Sequence, residues 1–497
     1  MLLPHPSSPM AECKKLMDWP IGPYETSMGA LLLLTLPIHW FLTRDESEKR
    51  VSLRDLPNEI KEKGYWWHIS LYLLMFIYKA GIDHHNEPIK AKVGGYTHWI
   101  YYIEGDWTNY VQEFFLNDTL TNLLSAHYLF MYLFMIWFSP IYYILSSDKT
   151  MADKAALNYF VVYLLSVPFY LYFNVEVTSS YVPGMDALLY HDSFTLSFFT
   201  ANDPMDNAIP SLHIGLPIGL LIINRLHCKE LGIKIKHWRH REFDLFVSLN
   251  VLIYIFSIQY LGIHWFVDIF PGIVLAFVTS YFVHHMQPKL RSTEYPKLKS
   301  LLPNKNQLYS IIGVSLFSSF LIFFVIIDGP GVSEDVPNYR VGYNDINLET
   351  IEVHSLSNPV NVEVINVGEE SVQLLLIKTS MVEKYAEKGF FDWDAIQDGK
   401  TNIFLLSTQE QVNFSVKTEG IYDSYVILIR LTNPDPCMGE ISDCRPIEER
   451  IGEVRITNHY FDDELIWTAY FASFPSFYIL GYVLGMNNKE IMGIKTP

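Results

Sequence analysis

Long apolar runs separated by short polar segments dominate the chain. A helix needs about 20 mostly apolar residues to cross the hydrocarbon core of a bilayer, which is about 30 Å thick. Nine runs approach or reach this length: residues 24–43, 65–82, 121–145, 156–174, 210–226, 243–261, 264–286, 307–327 and 465–485. The first two are short or interrupted by polar residues. The pattern predicts an all-α polytopic membrane protein over most of the chain.

The basic residues of the loops assign a side of the membrane to each helix end. Lys and Arg concentrate in the short cytoplasmic loops of membrane proteins. Here they are abundant in the loops after the first, fifth and seventh runs, whereas the stretch 155–224 contains none. Lys90 and Lys92, in the loop after the second run, are the exceptions. Alternation predicts nine spans in a cell membrane, with the N-terminus outside and the C-terminus inside.

A long segment on the predicted outer side, roughly 83–120, has its own helical pattern. Apolar and aromatic residues recur there at helical spacing, with acidic residues between them: Ile103, Trp107, Tyr110, Val111 and Phe114. One interpretation is a helix lying in the membrane interface with its aromatic face among the headgroups. The other is a soluble loop helix that packs on the bundle. The sequence leaves both open.

Residues 329–464 change from long apolar runs to short alternating ones separated by turn residues. Several strands at this spacing predict a β-sandwich, which we expect to be immunoglobulin-like. Alternation of the spans places it outside the cell. Cys437 and Cys444 lie close enough in sequence to pair in an oxidising compartment. The glycosylation tripeptides at Asn117 and Asn413 also fall on the outer side.

Composition narrows the class of protein further. Half of the 497 residues are hydrophobic, yet the mean hydropathy is only +0.14, which agrees with a separate polar domain. The net charge of −18 argues against nucleic acid as a partner, because phosphate backbones need basic surfaces. Four cysteines are too few for a disulfide framework.

Two histidines lie at the predicted outer ends of two helices, at about the same depth. His264 and Asp268 are four residues apart, so on a helix they share one face. The carboxylate there would fix the imidazole tautomer and leave the other nitrogen as a nucleophile. His213, on the neighbouring helix, would protonate a leaving alkoxide. Pro210 suits a first helical turn, and Ser211 with the free amides of that turn would hold an incoming anion.

Other polar residues near this turn have two interpretations. Asp203, Asp206 and Asn207 precede it and either bind a sugar or polyol headgroup or only start the turn and cap the helix. We expect no metal, because the spacing of the histidines matches no metal-binding motif. A histidine and an aspartate four residues apart also occur by chance. Ionisable residues within membrane segments, however, more often belong to functional sites.

These residues resemble a known family. The run Pro210-Ser211-Leu212-His213, then Ser257, then His264-x-x-x-Asp268 is similar to the motifs of the type 2 phosphatidic acid phosphatase superfamily. The resemblance covers roughly residues 60–288. It implies a six-helix core and no cofactor. It also implies that His264 becomes a phosphohistidine, Asp268 orients it and His213 protonates the leaving group.

The departures from the family pattern point to one branch of it. Ile258 stands where the last motif has Arg, and the Lys-x6-Arg-Pro motif is missing. A branch with similar departures contains the inositol phosphorylceramide synthases of the aureobasidin-resistance type and the sphingomyelin synthases. Leu212 and the run Tyr260-Leu261-Gly262-Ile263 also look more like that branch. It implies transfer of a phospho-headgroup between membrane lipids.

The sequence thus predicts five regions. They are an N-terminal segment with one span (1–59), the six-helix core (60–288), a linker with the eighth span (289–328), the extracytoplasmic β-sandwich (329–464), and the last span with a cytoplasmic tail (465–497). The leading function is lipid phosphotransfer onto a lipid or polyol acceptor. The alternatives are a lipid phosphate phosphatase and a non-catalytic protein whose β domain binds an extracytoplasmic partner. A transporter ranks last, because the ionisable residues cluster at one membrane face rather than deep in the bilayer.

Overall fold

The computed structural model describes residues 23–93, 95–190, 205–291, 302–328, 332–342, 346–354, 360–380, 382, 402–418, 422–432, 450–460 and 463–487. The chain divides into two compact units. The helical unit comprises residues 1–90, 94–325 and 470–497, and the β unit comprises residues 91–93 and 326–469. Cys437 and Cys444 lie outside the described residues.

Helices make up the first unit and the segments that flank the second. They are α1 (Pro23–Leu42), α2 (Leu56–Glu62), α3 (Trp66–Val93), α4 (Thr97–Glu104), α5 (Trp107–Phe115), α6 (Asp118–Leu145), α7 (Lys149–Tyr172), α8 (Thr178–Tyr181), α9 (Leu212–Glu230), α10 (Arg241–Tyr260), α11 (Ile269–Leu290), α12 (Lys305–Asp328) and α13 (Asp463–Leu484). Short 3-10 turns occur at Arg44–Lys49, Leu188–Tyr190, Ile235–His237 and Phe266–Asp268.

Five helical segments within the described residues are long and apolar enough to cross a membrane. They are Asp118–Leu145, Lys149–Tyr172, Arg241–Tyr260, Phe266–Leu290 and Lys305–Val325. The chain is therefore a multi-pass helical protein by length and composition. The count of nine spans stays a prediction. Helix α9 carries the charged residues Arg225 and Lys229 towards its end, and the apolar part of α1 is only Thr26–Leu42.

Helices α9 and α11 pack closely because two glycines remove side chains from their contact. A Cβ atom on Gly272 would lie 2.7 Å from the Ser211 carbonyl oxygen, and one on Gly215 would lie 3.2 Å from the Gly272 oxygen. The backbones therefore approach where α9 begins and α11 has just begun. This contact fixes the two chain segments that carry the predicted histidines.

The basic loops of the helical unit converge at one of its ends. Lys63 donates to Ser147 between α6 and α7, Arg239 donates to the Ser146 carbonyl oxygen, and Arg291 donates to the Lys63 oxygen at 2.6 Å. At the opposite end, the hydroxyl of Tyr260 accepts from the Asn117 amide where α10 ends and α6 begins. The helices α6, α7, α9, α10 and α11 alternate in direction between these two ends.

The outer segment forms two helices rather than one. Gly105 ends α4 with a φ of 60°, a conformation that favours glycine, and α5 follows. On α5 the aromatic side chains Trp107 and Phe114 are exposed, whereas Asn109 and Gln112 are buried. Gln112 donates to the carbonyl oxygens of Asp186 and Tyr260, both at 2.9 Å. The polar face of α5 therefore packs on the helical unit, as expected for a loop helix that packs on the bundle. Its aromatic face is exposed, as expected for a helix in the membrane interface.

Glycines also join α12 to α13. A Cβ atom on Gly481 would lie 2.5 Å from the Ile311 Cα atom, and one on Gly485 would lie 2.4 Å from the Gln307 Cα atom. The spacing Gly481-x-x-x-Gly485 is the pattern by which membrane helices pack at short range. The two helices that flank the β unit in sequence are thus paired within the helical unit.

The β unit contains eight strands: β1 (Val332–Gly342), β2 (Asn347–His354), β3 (Val360–Asn366), β4 (Val372–Lys378), β5 (Asn402–Leu406), β6 (Gln411–Val416), β7 (Tyr422–Leu431) and β8 (Ile451–Tyr460). They form two four-stranded antiparallel sheets, with orders β1-β8-β3-β6 and β2-β7-β4-β5. Val362, Leu374, Ile429 and Ile456 from both sheets share one buried core, so the unit is a sandwich.

The strand order corrects the expectation of an immunoglobulin-like domain. Chain neighbours lie in opposite sheets everywhere except at β4 and β5, which is the order of an eight-stranded jelly roll. An immunoglobulin sandwich instead places its first two strands side by side. Strand β1 was also not predicted. Pro337 interrupts its alternation, and the register shifts between Val336 and Tyr339 to accommodate it.

Candidate active site

His213 lies in the first turn of α9. Ser211 is the N-cap residue, but its side chain makes no capping hydrogen bond and is fully buried. The prediction that Pro210 lies in the first turn is wrong, because the helix begins two residues later, at Leu212. The first amides of a helix have no acceptor within it. This end of α9 therefore has free donors for an anion.

His264 and Asp268 meet through a tight turn and not along one helix face. His264 precedes the 3-10 turn Phe266–Asp268, and α11 starts only at Ile269, so the predicted helical placement is wrong. The cause is the Asp268 carboxylate, whose Oδ2 accepts from the Trp265 amide at 2.9 Å and closes the turn. The same oxygen lies 3.1 Å from His264 Nδ1. One carboxylate thus holds both the turn and the imidazole.

The neighbours of His264 define its tautomer. Nδ1 lies 2.7 Å from the Ala208 carbonyl oxygen and 3.1 Å from Asp268 Oδ2. Because a carbonyl oxygen only accepts, we assign the hydrogen to Nδ1, and the neutral ring then has its lone pair at Nε2. Among the described residues, none forms a hydrogen bond to Nε2. This nitrogen is therefore prepared to act as a nucleophile.

Tyrosine rings enclose His213. The Tyr128 ring stacks on the imidazole at 4.1 Å between centroids, and its hydroxyl lies 3.1 Å from His213 Nδ1. The Tyr132 ring also lies 4.1 Å away, and the Tyr254 ring lies 5.7 Å away. The His264 ring is a neighbour too, at 5.7 Å. With Nδ1 occupied by Tyr128, His213 has Nε2 for exchanging a proton.

Two distant segments hold the turn that carries His264. Glu104 Oε2, at the end of α4, accepts from the Val267 amide at 3.0 Å. Trp265 Nε1 donates to the Glu176 carbonyl oxygen at 2.8 Å. Burial raises the pKa of the Glu104 carboxyl, although the backbone amides of Phe266 and Val267 oppose the shift. No sequence motif marks Glu104, Tyr128 or Tyr254, because their roles come from contacts between distant segments.

The position that holds Arg in the resembled motif is apolar and buried here. The Ile258 side chain is fully buried, and its carbonyl oxygen accepts from the His264 amide at 3.1 Å. Ser257 is also fully buried, and its hydroxyl lies 3.4 Å from the Tyr254 carbonyl oxygen. These residues therefore position the end of α10 and the turn after it.

The other predicted substrate-binding residues are placed as follows. Asp206 forms an ion pair with the buried Lys90 at the end of α3. Asn207 pairs with Val175 in an isolated β-bridge, and its Oδ1 is buried without a partner in the described part of the chain. Asp203 lies outside the described residues. The Lys90 pair brings a cation near the segment whose Ala208 carbonyl holds His264, but an acidic partner already neutralises it.

The described side chains show no group of three or more His, Cys, Asp or Glu residues arranged to hold a metal ion. The chain matches no family model, no curated protein and no solved structure. Inference about function therefore depends on the chemistry of this site.

Proposed function

We propose that the chain is a membrane-embedded lipid phosphotransferase that works through a phosphohistidine on His264. The observation that carries this proposal is the pairing of His264 Nδ1 with Asp268 and Ala208, which leaves Nε2 with a lone pair beside His213. A nucleophile held by a buried carboxylate, next to a second imidazole, is the arrangement that covalent group transfer needs. The resemblance of the two histidine motifs to the phosphatase superfamily, and with it a six-helix core, is consistent with this chemistry.

In the first step, His264 Nε2 attacks the phosphorus of a phospholipid. The bond between phosphorus and the lipid alkoxide breaks as the nitrogen–phosphorus bond forms. His213 acts as an imidazolium: it gives the proton on Nε2 to the departing alkoxide oxygen and becomes neutral, while Tyr128 remains at Nδ1. Asp268 stabilises the positive charge that develops on the His264 ring.

In the second step, a hydroxyl of the acceptor attacks the phosphohistidine. Its proton passes to His213, the nitrogen–phosphorus bond breaks, and the headgroup phosphate leaves on the acceptor oxygen. The two histidines return to their starting states, so no cofactor is consumed. With water as acceptor, the same steps hydrolyse the lipid: a phosphodiester releases its phosphorylated headgroup, and a monoester releases free phosphate, as in a phosphatase.

The charge of the site favours transfer of a phosphodiester over hydrolysis of a monoester. Within the described residues, no Lys or Arg side chain contacts His213, His264 or Asp268. A phosphodiester carries one negative charge, whereas a monoester carries close to two at neutral pH, and burying charge without a partner is costly. Neutral hydroxyls and the amides at the start of α9 suit the lower charge.

We place the site at the extracytoplasmic end of the bundle. The basic loops lie at the opposite end of the helical unit, and such loops are typical of the cytoplasmic side. The β unit would then also be extracytoplasmic, where it is available to a partner.

A transfer assay tests the proposal against its alternatives. Purified protein in detergent receives a phospholipid labelled in its phosphate, with or without a lipid alcohol. Acceptor-dependent labelled lipid supports transfer, whereas release of labelled phospho-headgroup or free phosphate without an acceptor indicates a phosphatase-type hydrolase. His264→Ala and His213→Ala should abolish either product. His39→Gln is the matched control, because His39 is a buried histidine that bonds to Ser146 at the basic end of the helical unit, away from the site. No turnover by the wild type with any acceptor would favour a binding protein.

A further inference from the structure

Three residues that neighbour the two histidines each have a buried oxygen atom without a hydrogen-bond partner. The atoms are the Tyr254 hydroxyl oxygen, Ser211 Oγ and Asp268 Oδ1, each unpaired with respect to the described residues. Buried polar atoms in native proteins nearly always have a partner, and an exception calls for an explanation such as a ligand. Asp268 only accepts when ionised, whereas the two hydroxyls can also donate. Two of the three unpaired groups can therefore bind an anion.

Tyr254 is the unexpected member of this set. It lies on α10 and is 1% exposed, with its ring 5.7 Å from the His213 ring and 6.3 Å from the Tyr128 ring. Its hydroxyl does not bond to either neighbour. A phenylalanine would fill the same space without burying an unpaired hydroxyl, so packing alone does not account for a tyrosine here.

The Tyr254 hydroxyl is a candidate phosphate donor because the site has no arginine at the position where the resembled motif has one. Ile258, one turn further along α10, occupies the position where the resembled motif has Arg, and its side chain is fully buried. On the neighbouring outer segment, the cation closest in sequence to the end of α3 whose side chain the structure describes is Lys90, and it is paired with Asp206. Among the described residues, the donors that remain for the oxygens of a bound phosphoryl group are therefore neutral ones.

We propose that the Tyr254 hydroxyl donates a hydrogen bond to a non-bridging phosphate oxygen, together with Ser211 Oγ and the first amides of α9. This assignment rests on the proposed function of the same site. It makes Tyr254 a substrate-binding residue of a phosphate site built from neutral donors.

The test uses Tyr254→Phe in the full-length protein in detergent, with orthovanadate as the phosphate mimic. Tyr65→Phe is the matched control, because Tyr65 is 2% exposed and its hydroxyl is also unpaired among the described side chains, but it lies at the basic end. Neither variant loses a hydrogen bond in the empty protein, so both should melt at or above the wild-type temperature. Only Tyr254→Phe should bind orthovanadate about 10- to 100-fold more weakly, the range for one hydrogen bond to a charged group.

The outcomes separate the two proposals. If the wild type binds orthovanadate and Tyr254→Phe binds it equally well, the role of Tyr254 is wrong and the proposed function survives. A lower melting temperature of Tyr254→Phe without ligand also overturns the role, because the hydroxyl would then have a structural partner. If the wild type fails to bind orthovanadate, the phosphate site and the proposed function fall together.

Discussion

At the scale of single residues, the account depends on which nitrogen of each imidazole is occupied. His264 uses Nδ1 for the Ala208 and Asp268 oxygens, and His213 uses Nδ1 for the Tyr128 hydroxyl. In both rings Nε2 therefore remains for the reaction, as the nucleophile in His264 and as the proton donor and acceptor in His213. The sequence predicted the pairing of His264 with Asp268 from their spacing. It could not predict Ala208, Tyr128 or Tyr254, because those contacts join segments far apart in the chain.

Replacing Asp268 by Asn tests the orienting role of the carboxylate. An amide oxygen accepts more weakly and carries no charge, so the variant holds the imidazole less firmly and no longer stabilises the positive charge that develops on it, although the Ala208 carbonyl oxygen still accepts from Nδ1. Headgroup transfer should fall by on the order of 10²- to 10⁴-fold, as when acid–base partners are lost in other enzymes. The measurement is the rate of labelled product formation.

The matched control is Asp118→Asn, which removes the same charge from an exposed position at the start of α6. It should keep the wild-type rate. Equal rates in Asp268→Asn and wild type would mean that the carboxylate only closes the turn.

At the scale of elements, α4 connects the outer segment to the turn that carries His264. Glu104 bonds to the Val267 amide, and burial raises the pKa of its carboxyl. The helical pattern of this segment was readable in the sequence, but the contact was not, since the apolar spacing carries no information about which backbone amide a distant carboxylate will reach.

The pH dependence of stability tests this contact through Glu104→Gln. The folded pKa of Glu104 lies above the unfolded value of about 4.3. Its contribution to stability is therefore present at acid pH and is lost as the pH rises through the folded pKa. The melting temperature of the wild type, relative to the Gln variant, should fall as the pH is raised from about 4 to about 8. Glu113→Gln on α5 is the control. A wild-type melting temperature that rises relative to that of Glu104→Gln as the pH is raised would contradict the argument.

The pairing of α12 with α13 gives a second prediction at this scale. Gly481→Ala places a Cβ atom against the Ile311 backbone, so it should destabilise the protein by about 1–3 kcal/mol, the usual cost of overpacking. Gly313→Ala on α12 is the matched control, because a Cβ there meets none of the described atoms within 4 Å. It should be neutral or slightly stabilising, since Ala is the better helix former. Equal melting temperatures of the two variants would argue against close packing.

At the scale of the whole molecule, the hydrophobic periodicity of the sequence predicted that one unit is helical and the other is a β-sandwich. It did not predict the order of the strands within each sheet. The long apolar runs correspond to helices, and the alternating runs correspond to strands β2 to β8. Alternation reports which face of a strand is buried, but it does not report which strands are neighbours. The jelly-roll order therefore could not be read from the sequence, and Pro337 concealed β1.

Glycosylation tests the proposed sidedness. Asn413 is exposed on β6, an edge strand, whereas the Asn117 side chain caps α6 by accepting from the Leu120 amide at 3.1 Å. Synthesis in microsomes should give one glycan, which Asn413→Gln removes and Asn117→Gln leaves in place. A β unit on the cytoplasmic side would instead remain unmodified and would be digested by protease added to sealed microsomes.

The most direct test of the whole account is the identity of the residue that carries phosphate during turnover. The protein is mixed with a phospholipid labelled in its phosphate, quenched without acceptor, digested and sequenced by mass spectrometry under alkaline conditions that preserve phosphohistidine. The account predicts a phospho-headgroup on His264 that disappears on addition of a lipid alcohol and is not formed by His264→Ala. A label on another residue, or turnover that persists in His264→Ala, would contradict it.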